Sequence, residues 1–326
     1  MRPRAASWFG AAAAAAAAVA IALLPLTLSD YHRSQGALVA VYFVAILALD
    51  IVTGYTGQIS IGHGAFMAVG GYTTAILLHH HWWTSATGAL HTIWTLPAAA
   101  LVGFGAGLVV GLPALRFHGV YLALTTFAVA LAVPQLAKNY SHFTGGTQGL
   151  SLPAHNGLWL YRLGWIVAGV AFVFAWLLLR GRTGRAFRAI RDSEVAAASS
   201  GVTLALYKTL AFGISAAMAA VAGSVYVLVN NFVNPDVFGL TLSLYVLIGA
   251  VVGGLGSLWG VLAGAAFVQL LPIGLTSGPL ASSEDVPVIF GAVVIAVMAA
   301  LPLGAAGFVQ TALRFASRTR QSSTTP

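Results

Sequence analysis

An all-α, polytopic membrane protein of about ten helices is the fold class that this sequence predicts, and three observations predict it. Hydrophobic residues fill 59% of 326 positions, against about 45 to 50% in a soluble globular chain. Charged residues make up only 7%, and the mean hydropathy is +0.90. Apolar runs of spanning length recur along the whole chain.

The remaining composition narrows the chemistry. Thirty-seven glycines suit close approach of spanning helices, and the absence of cysteine removes disulfides, thiolate metal sites and cysteine nucleophiles. The net charge of +8 raises nucleic acid as a partner. The placement of the charges argues instead for orientation in lipid, with membrane lipid and no nucleic acid as the surroundings.

Arg2 and Arg4 precede an apolar run over residues 5–28 that contains eight consecutive alanines. A cleaved signal peptide is the competing reading, but its apolar region runs to only about 7 to 15 residues, so the run is taken as the first span. Further spans are expected at 36–53, 60–79, 93–112, 119–137, 164–180, 208–230, 240–256, 259–276 and 286–304. An even number places both termini on one side. With the N-terminus in the cytoplasm, twelve of the fifteen Lys and Arg residues lie inside and only Arg33, Lys138 and Arg162 outside. The chain is thus a single transmembrane domain over 1–326, with a core at 36–304 and cytoplasmic segments at 181–207 and 305–326.

The expected outer loops carry Trp82, Trp83, Trp94, Trp159, Tyr161 and Trp165, which suit interfacial anchoring. His79, His80, His81 and His91 could suggest a metal site, but adjacent histidines share no helix face and no carboxylate is near. The longest outer loop, 138–162, contains Gly145-Gly146-Thr147-Gln148-Gly149. No helix start or lysine follows to make a phosphate cradle, so it reads as a turn-rich loop.

Residues 50–72, DIVTGYTGQISIGHGAFMAVGGY, form the first unusual stretch. Six glycines interrupt an otherwise apolar region, and Asp50, Gln58, Ser60 and His63 stand among them. Broken helices survive at membrane depth only where protein or a watery cavity satisfies the freed backbone, so these four are candidates for a translocation path. Tight glycine-mediated packing is the plainer alternative. A second glycine-rich break occurs at Gly253-Gly254-Leu255-Gly256-Ser257-Leu258-Trp259-Gly260.

Residues 181–201, GRTGRAFRAIRDSEVAAASSG, form the second. With Arg180, five arginines fall within twelve residues, which cannot lie in lipid. Thr183 as N-cap, no Pro or Gly from 185 to 199, and Gly201 after the last turn predict one helix of about four turns. Phe187, Ile190 and Glu194 recur on one stripe between Arg185, Arg188 and Arg191, which predicts a docking helix whose apolar side chains meet a partner. A merely solvated basic loop is the alternative.

No G-x-x-x-x-G-K-[ST] occurs, and neither lysine, Lys138 nor Lys208, follows a glycine. Energy for uphill transport would then come from an ion gradient or a separate ATPase, and the docking helix favours the ATPase. An intramembrane serine protease would need Ser215 or Ser224 beside His63, which spacing alone does not provide.

Three of these stretches resemble, in order, the signatures of the LivM-type permeases of branched-chain amino-acid ABC importers. They are Gly54 to Phe66, Gly184 to Glu194 continuing through Gly201 to Phe212, and Gly253 to Gly260. The resemblance runs over about residues 36 to 303 and implies a non-enzymatic bacterial inner-membrane importer subunit with glycine-broken helices. Its implied partners are a homologous second permease (LivH-type), two cytoplasmic ATPase subunits carrying ATP and Mg, and a substrate-binding protein outside. Arg185, Phe187, Arg188, Ile190, Arg191, Glu194 and Gly201 would match the segment docked on an ATPase. Asp50 stands where relatives commonly have Asn, and Tyr245 where Glu is frequent. Relatives also import urea and short amides, and an ion-coupled transporter acting alone is the rival outside the family.

Overall fold

The computed structural model describes residues 25, 29–79, 89–114, 119–276, 285–301, 304, 305 and 307. The expected first span, Arg116, His80, His81, Trp82, Trp83 and the tail from 308 lie outside the described residues.

Nine apolar helices among the described residues correspond to nine of the ten expected spans: α1 (Asp30–Thr56), α2 (His63–His79), α3 (Ala89–Ala114), α4 (Val120–Asn139), α6 (Gly157–Arg180), α9 (Leu204–Asn230), α10 (Leu240–Gly253), α11 (Gly260–Thr276) and α12 (Val286–Ala300). Five of these, α1, α3, α4, α6 and α9, are long and apolar enough to cross a membrane.

Two helices form the centre. In the most apolar stretch of α1, 83% of residues are buried, and in α9 78%, against 22 to 33% in α3, α4 and α6. A helix that is apolar all round is one surrounded by protein, whereas the outer helices keep one face for lipid. Glycine sets the spacing: a Cβ at Gly70 would overlap the Ala220 carbonyl, and one at Gly223 the Met67 carbonyl, so α2 and α9 touch backbone to backbone. Thr74 and Ser224 join the same pair at 2.5 Å, and Gln269 donates to Gln35 at 2.6 Å between α11 and α1.

The connections gather at two ends. At one end the loop expected to be rich in turns is built from the short helix α5 (Ser141–Thr144), a 3-10 turn at Gly146–Gln148 and the strand β1 (Leu150–Ser151). This strand pairs antiparallel with β2 (Phe232–Val233), Leu150 facing Val233. Lys138 Nζ meets Asp236 Oδ1 at 2.5 Å nearby. At the opposite end lie the arginine-rich helices α7 (Arg182–Asp192) and α8 (Glu194–Ser199), the turn from α1 to α2, and the turn from α10 to α11.

Candidate functional site

The arginine segment is two helices, not one. Ser193 breaks it with extended backbone (φ −165°, ψ 115°), and its Oγ accepts from the Ala196 N–H at 3.3 Å to cap α8. Serine competes with helix for its own backbone partners, which is why it serves as a cap here. The N-cap position of α7 is Gly181 rather than Thr183, which lies inside the helix. Gly201 ends α8 as expected: it is left-handed (φ +82°), and the Gly201 and Val202 N–H groups bond back to Ala198 and Ala197.

The apolar stripe points inward. Phe187 is fully buried and Ile190 is 2% exposed, and both are covered by the chain's own helices. Phe187 meets Tyr207 edge to face at 6.4 Å between centroids. The expectation that these two side chains contact a partner is therefore corrected. An amphipathic stripe records that something covers it, but the cover is α9 and its neighbours.

Polar contacts fix the rest of the segment. Arg188 Nη1 donates to the Leu179 carbonyl at 3.2 Å, and a Cβ at Gly184 would overlap that same carbonyl, so α7 folds tightly back on α6. Lys208 Nζ, 4% exposed, pairs with Glu194 Oε2 at 2.6 Å and ties α8 to α9. Arg191 Nη1 donates to the Gly54 carbonyl at 2.9 Å. The outward surface carries Arg185, Asp192, Ser193 and Val195, the last 79% exposed.

The glycine stretch is a helix-to-helix turn rather than one interrupted span. Gly57 ends α1 in the left-handed region (φ +72°), α2 starts at His63, and Gly64, Gly70 and Gly71 lie within α2 as packing residues. Three hydroxyls from distant helices hold the turn. Thr126 Oγ1 accepts from Ile61 N at 3.0 Å, Ser243 Oγ accepts from Gly64 N at 2.9 Å, and Ser215 Oγ lies 2.7 Å from His63 Nε2.

All four path candidates are buried within the chain: Asp50 and Ser60 and His63 at 1% exposure, Gln58 at 5%. Ser60 Oγ and His63 Nδ1 are 3.4 Å apart, whereas Gln58 Nε2 donates to Thr56 Oγ1 at 2.8 Å. Asp50 stands apart from them, its Oδ1 accepting from Gly256 N at 2.7 Å in the second glycine turn. The parts of the first turn open to the outside are Gly57 and Ile59, the latter at 44% exposure. Among the described residues, an apolar cleft of about 500 Å³ lies between α3, α6 and α9, and a polar one of about 470 Å³ beside Asp30, Arg33, His155 and Asn231. Neither is lined by the four candidates.

With this geometry in hand, the chain can be set beside known proteins. A family described as the permease component of branched-chain amino acid transport systems matches residues 33–301. The chain belongs to that family.

The high-affinity branched-chain amino acid transport system permease protein LivM of Salmonella typhimurium is 30% identical over 277 residues, covering 75% of this chain and 63% of that protein. The LivM protein of Escherichia coli K12 is 31% identical over 274 residues, covering 74% and 63%. The permease protein LivH of the same organism is 27% identical over 291 residues, covering 83% and 92%. This permease thus spans 63% of the length of the LivM relatives it matches. No solved structure matches it.

The structure places Ser215 beside His63, which spacing could not. Their chemistry is that of a cross-link: Ser215 Oγ donates to the Ala48 carbonyl at 2.6 Å, so the contact with His63 is one in which the ring Nε2–H donates to Ser215. With the serine proton assigned to the Ala48 carbonyl, Ser215 is the acceptor of the contact with the imidazole. One hydrogen-bonded chain instead binds α1, α2 and α9 together.

Thr126, Ser243 and the Gly256 N–H were not singled out from sequence, and Ser215 was weighed there only as a nucleophile. The available signal is slight: each hydroxyl is a small polar group in an apolar span, and Thr126 and Ser243 have other hydroxyl residues near them. Replacing Ser215 with Ala is expected to lower the stability of the purified permease by about 1 to 3 kcal/mol, because the buried His63 N–H loses its acceptor. Thermal unfolding in detergent measures it, and an unchanged midpoint would show that the link contributes nothing.

Proposed function

We propose that this chain is the permease subunit of an ATP-driven importer for branched-chain amino acids (leucine, isoleucine and valine) in the bacterial inner membrane. The arginine end faces the cytoplasm, with both termini on that side. Import requires a homologous second permease, two cytoplasmic ATPase subunits holding ATP and Mg²⁺, and a substrate-binding protein outside.

One observation carries this reading. The chain belongs to a permease family, and its arginine segment is built as a pair of helices seated on the spans with an open outer face. In this assignment Phe187, Ile190, Arg188 and the Glu194–Lys208 pair seat the segment, Gly201 returns the chain to α9, and Arg185, Asp192 and Val195 meet the ATPase. Gln58, Ser60 and His63 shape the first glycine turn and Asp50 holds the second, both beside the translocation path, which the second permease completes.

Proteoliposomes holding both permeases, both ATPases and the binding protein are expected to take up radiolabelled leucine only with ATP. Uptake by this chain alone under an ion gradient would overturn the importer reading. In the same assembly, Val195→Asp is expected to reduce substrate-stimulated hydrolysis about tenfold while the permease stays folded. Unchanged hydrolysis would remove the docking role of α7 and α8.

A further inference from the structure

The arginine segment reaches both glycine turns through one side chain. Arg191 sits on the last turn of α7, and its Nη1 donates to the Gly54 carbonyl. That carbonyl belongs to the last turn of α1, where C=O groups have no partner within the helix, so Arg191 is in effect the C-terminal cap of α1. Its stem crosses Gly57, where a Cβ would come within 3.1 Å of Arg191 Cγ. The same Nη1 lies 3.2 Å from where a Cβ of Gly256 would be.

Gly256 connects to Asp50. Its backbone is left-handed (φ +78°), and this presents its N–H to Asp50 Oδ1 at 2.7 Å. A Cβ at Gly54 would overlap both Asp50 Oδ1 and Gly256 N, so the three groups converge only because glycine occupies both positions. Residues 50–57, 191 and 254–256 thus form one cluster at the arginine end.

The cluster is incompletely satisfied. Asp50 is 1% exposed, and its Oδ2 has no hydrogen-bond partner. A buried carboxylate oxygen without a donor is unfavourable. The guanidinium of Arg191 carries five N–H donors, and its contacts here are Gly54 O and, at 3.5 Å, Asp192 Oδ1. A displacement of α7 that carries the guanidinium to Asp50 Oδ2 would exchange one acceptor for the other.

We propose that Arg191 is a positioning residue that links the arginine segment to both glycine turns, leaving the Gly54 carbonyl for Asp50 Oδ2 when α7 is moved. In the arrangement seen here Arg191 caps α1 and holds the Gly57 turn closed. In the other it pairs with Asp50, uncaps α1 and frees the turn that carries Gln58, Ser60 and His63. A ligand or partner shifts such an equilibrium only through unequal contacts with the two states, and here the contacts differ by one charged hydrogen bond exchanged for an ion pair. This inference rests on the reading of α7 and α8 as the ATPase-coupling segment.

The test uses the full reconstituted transporter and reads leucine transported per ATP hydrolysed. Arg191→Gln and Asp50→Asn are each expected to lower that ratio about tenfold, within the usual range for coupling between sites. The double variant is expected to fall no further than the worse single one, because both act on one link. Arg191→Lys, which keeps one charged donor, is expected to restore most of the ratio.

Losses that multiply in the double variant, or unchanged ratios in both single variants, overturn the link. Asp50→Asn is nearly isosteric and retains an acceptor for Gly256 N–H, so it decides the matter if Arg191→Gln fails to insert. An unchanged ratio in Asp50→Asn then suffices to overturn the link. Val195→Asp separates the two readings. If it abolishes stimulated hydrolysis while both single variants keep their ratio, only the link is lost; if hydrolysis persists, the coupling reading beneath it is lost.

Discussion

Phe187→Asp is expected to destroy the folded permease rather than selectively silence its response to a partner. The ring is fully buried, packs on Tyr207 and belongs to the same core as α1 and α9. Truncating a core Phe costs about 3 to 5 kcal/mol, and an unpaired buried carboxylate adds several more. That total is comparable to the whole stability of a typical domain. The detergent-extracted variant should therefore elute as aggregate and show no cooperative unfolding. A normally folded Phe187→Asp protein that has lost only ATPase stimulation would show that the ring faces outward, as the helical stripe suggested. Val195→Asp, on the opposite side, is the matched control because its site is already solvated.

Gly70→Ala is expected to be nearly as damaging, although it adds only one methyl group. The new Cβ would fall on the Ala220 carbonyl, a backbone atom that no rotamer change can move. Overpacking costs about 1 to 3 kcal/mol even where side chains can give way, so α2 and α9 must separate here. In lipid no hydrophobic force restores them, because helix association there depends on close packing. Gly105 is the counterpart: nothing lies within 4 Å of its Cβ position, so Gly105→Ala should be neutral or stabilise by up to about 1 kcal/mol through helix propensity. Unfolding by graded denaturing detergent compares the two. Equal midpoints for both variants would refute backbone contact between α2 and α9.

Much of the architecture was legible along the chain. Hydropathy marked nine apolar helices among the described residues, five of them long enough to cross a membrane, because insertion in lipid demands about twenty apolar residues in succession and tolerates few charges. Gly201 was recognisable as a helix stop, and the glycine run at 253–260 as a boundary, because each depends on conformations that glycine alone adopts cheaply. The arginines declared that one end lies outside lipid. The break at Ser193 was not legible: Ser-Glu-Val-Ala continues a helix as readily as it starts one, and the choice depended on α7 and α8 packing against different neighbours.

The candidate site was legible in its members but not in its grouping. Asp50, Gln58, Ser60 and His63 stand within fourteen residues, yet Asp50 pairs with a group 206 positions away and His63 with one 152 away. Phe187 and Ile190 were read as an apolar face, correctly, while the body that covers that face was not encoded in the helix itself.

From the amino-acid order alone came what contiguous windows determine: which segments are spans, which ends are charged, where glycine must turn the chain. Tertiary structure decided how each helix is rotated about its axis, and so which side chains meet. A span such as α1, apolar on every side, carries no directional signal. Its orientation is set only when glycines on neighbouring helices allow backbones to touch and distant hydroxyls arrive to satisfy the turns.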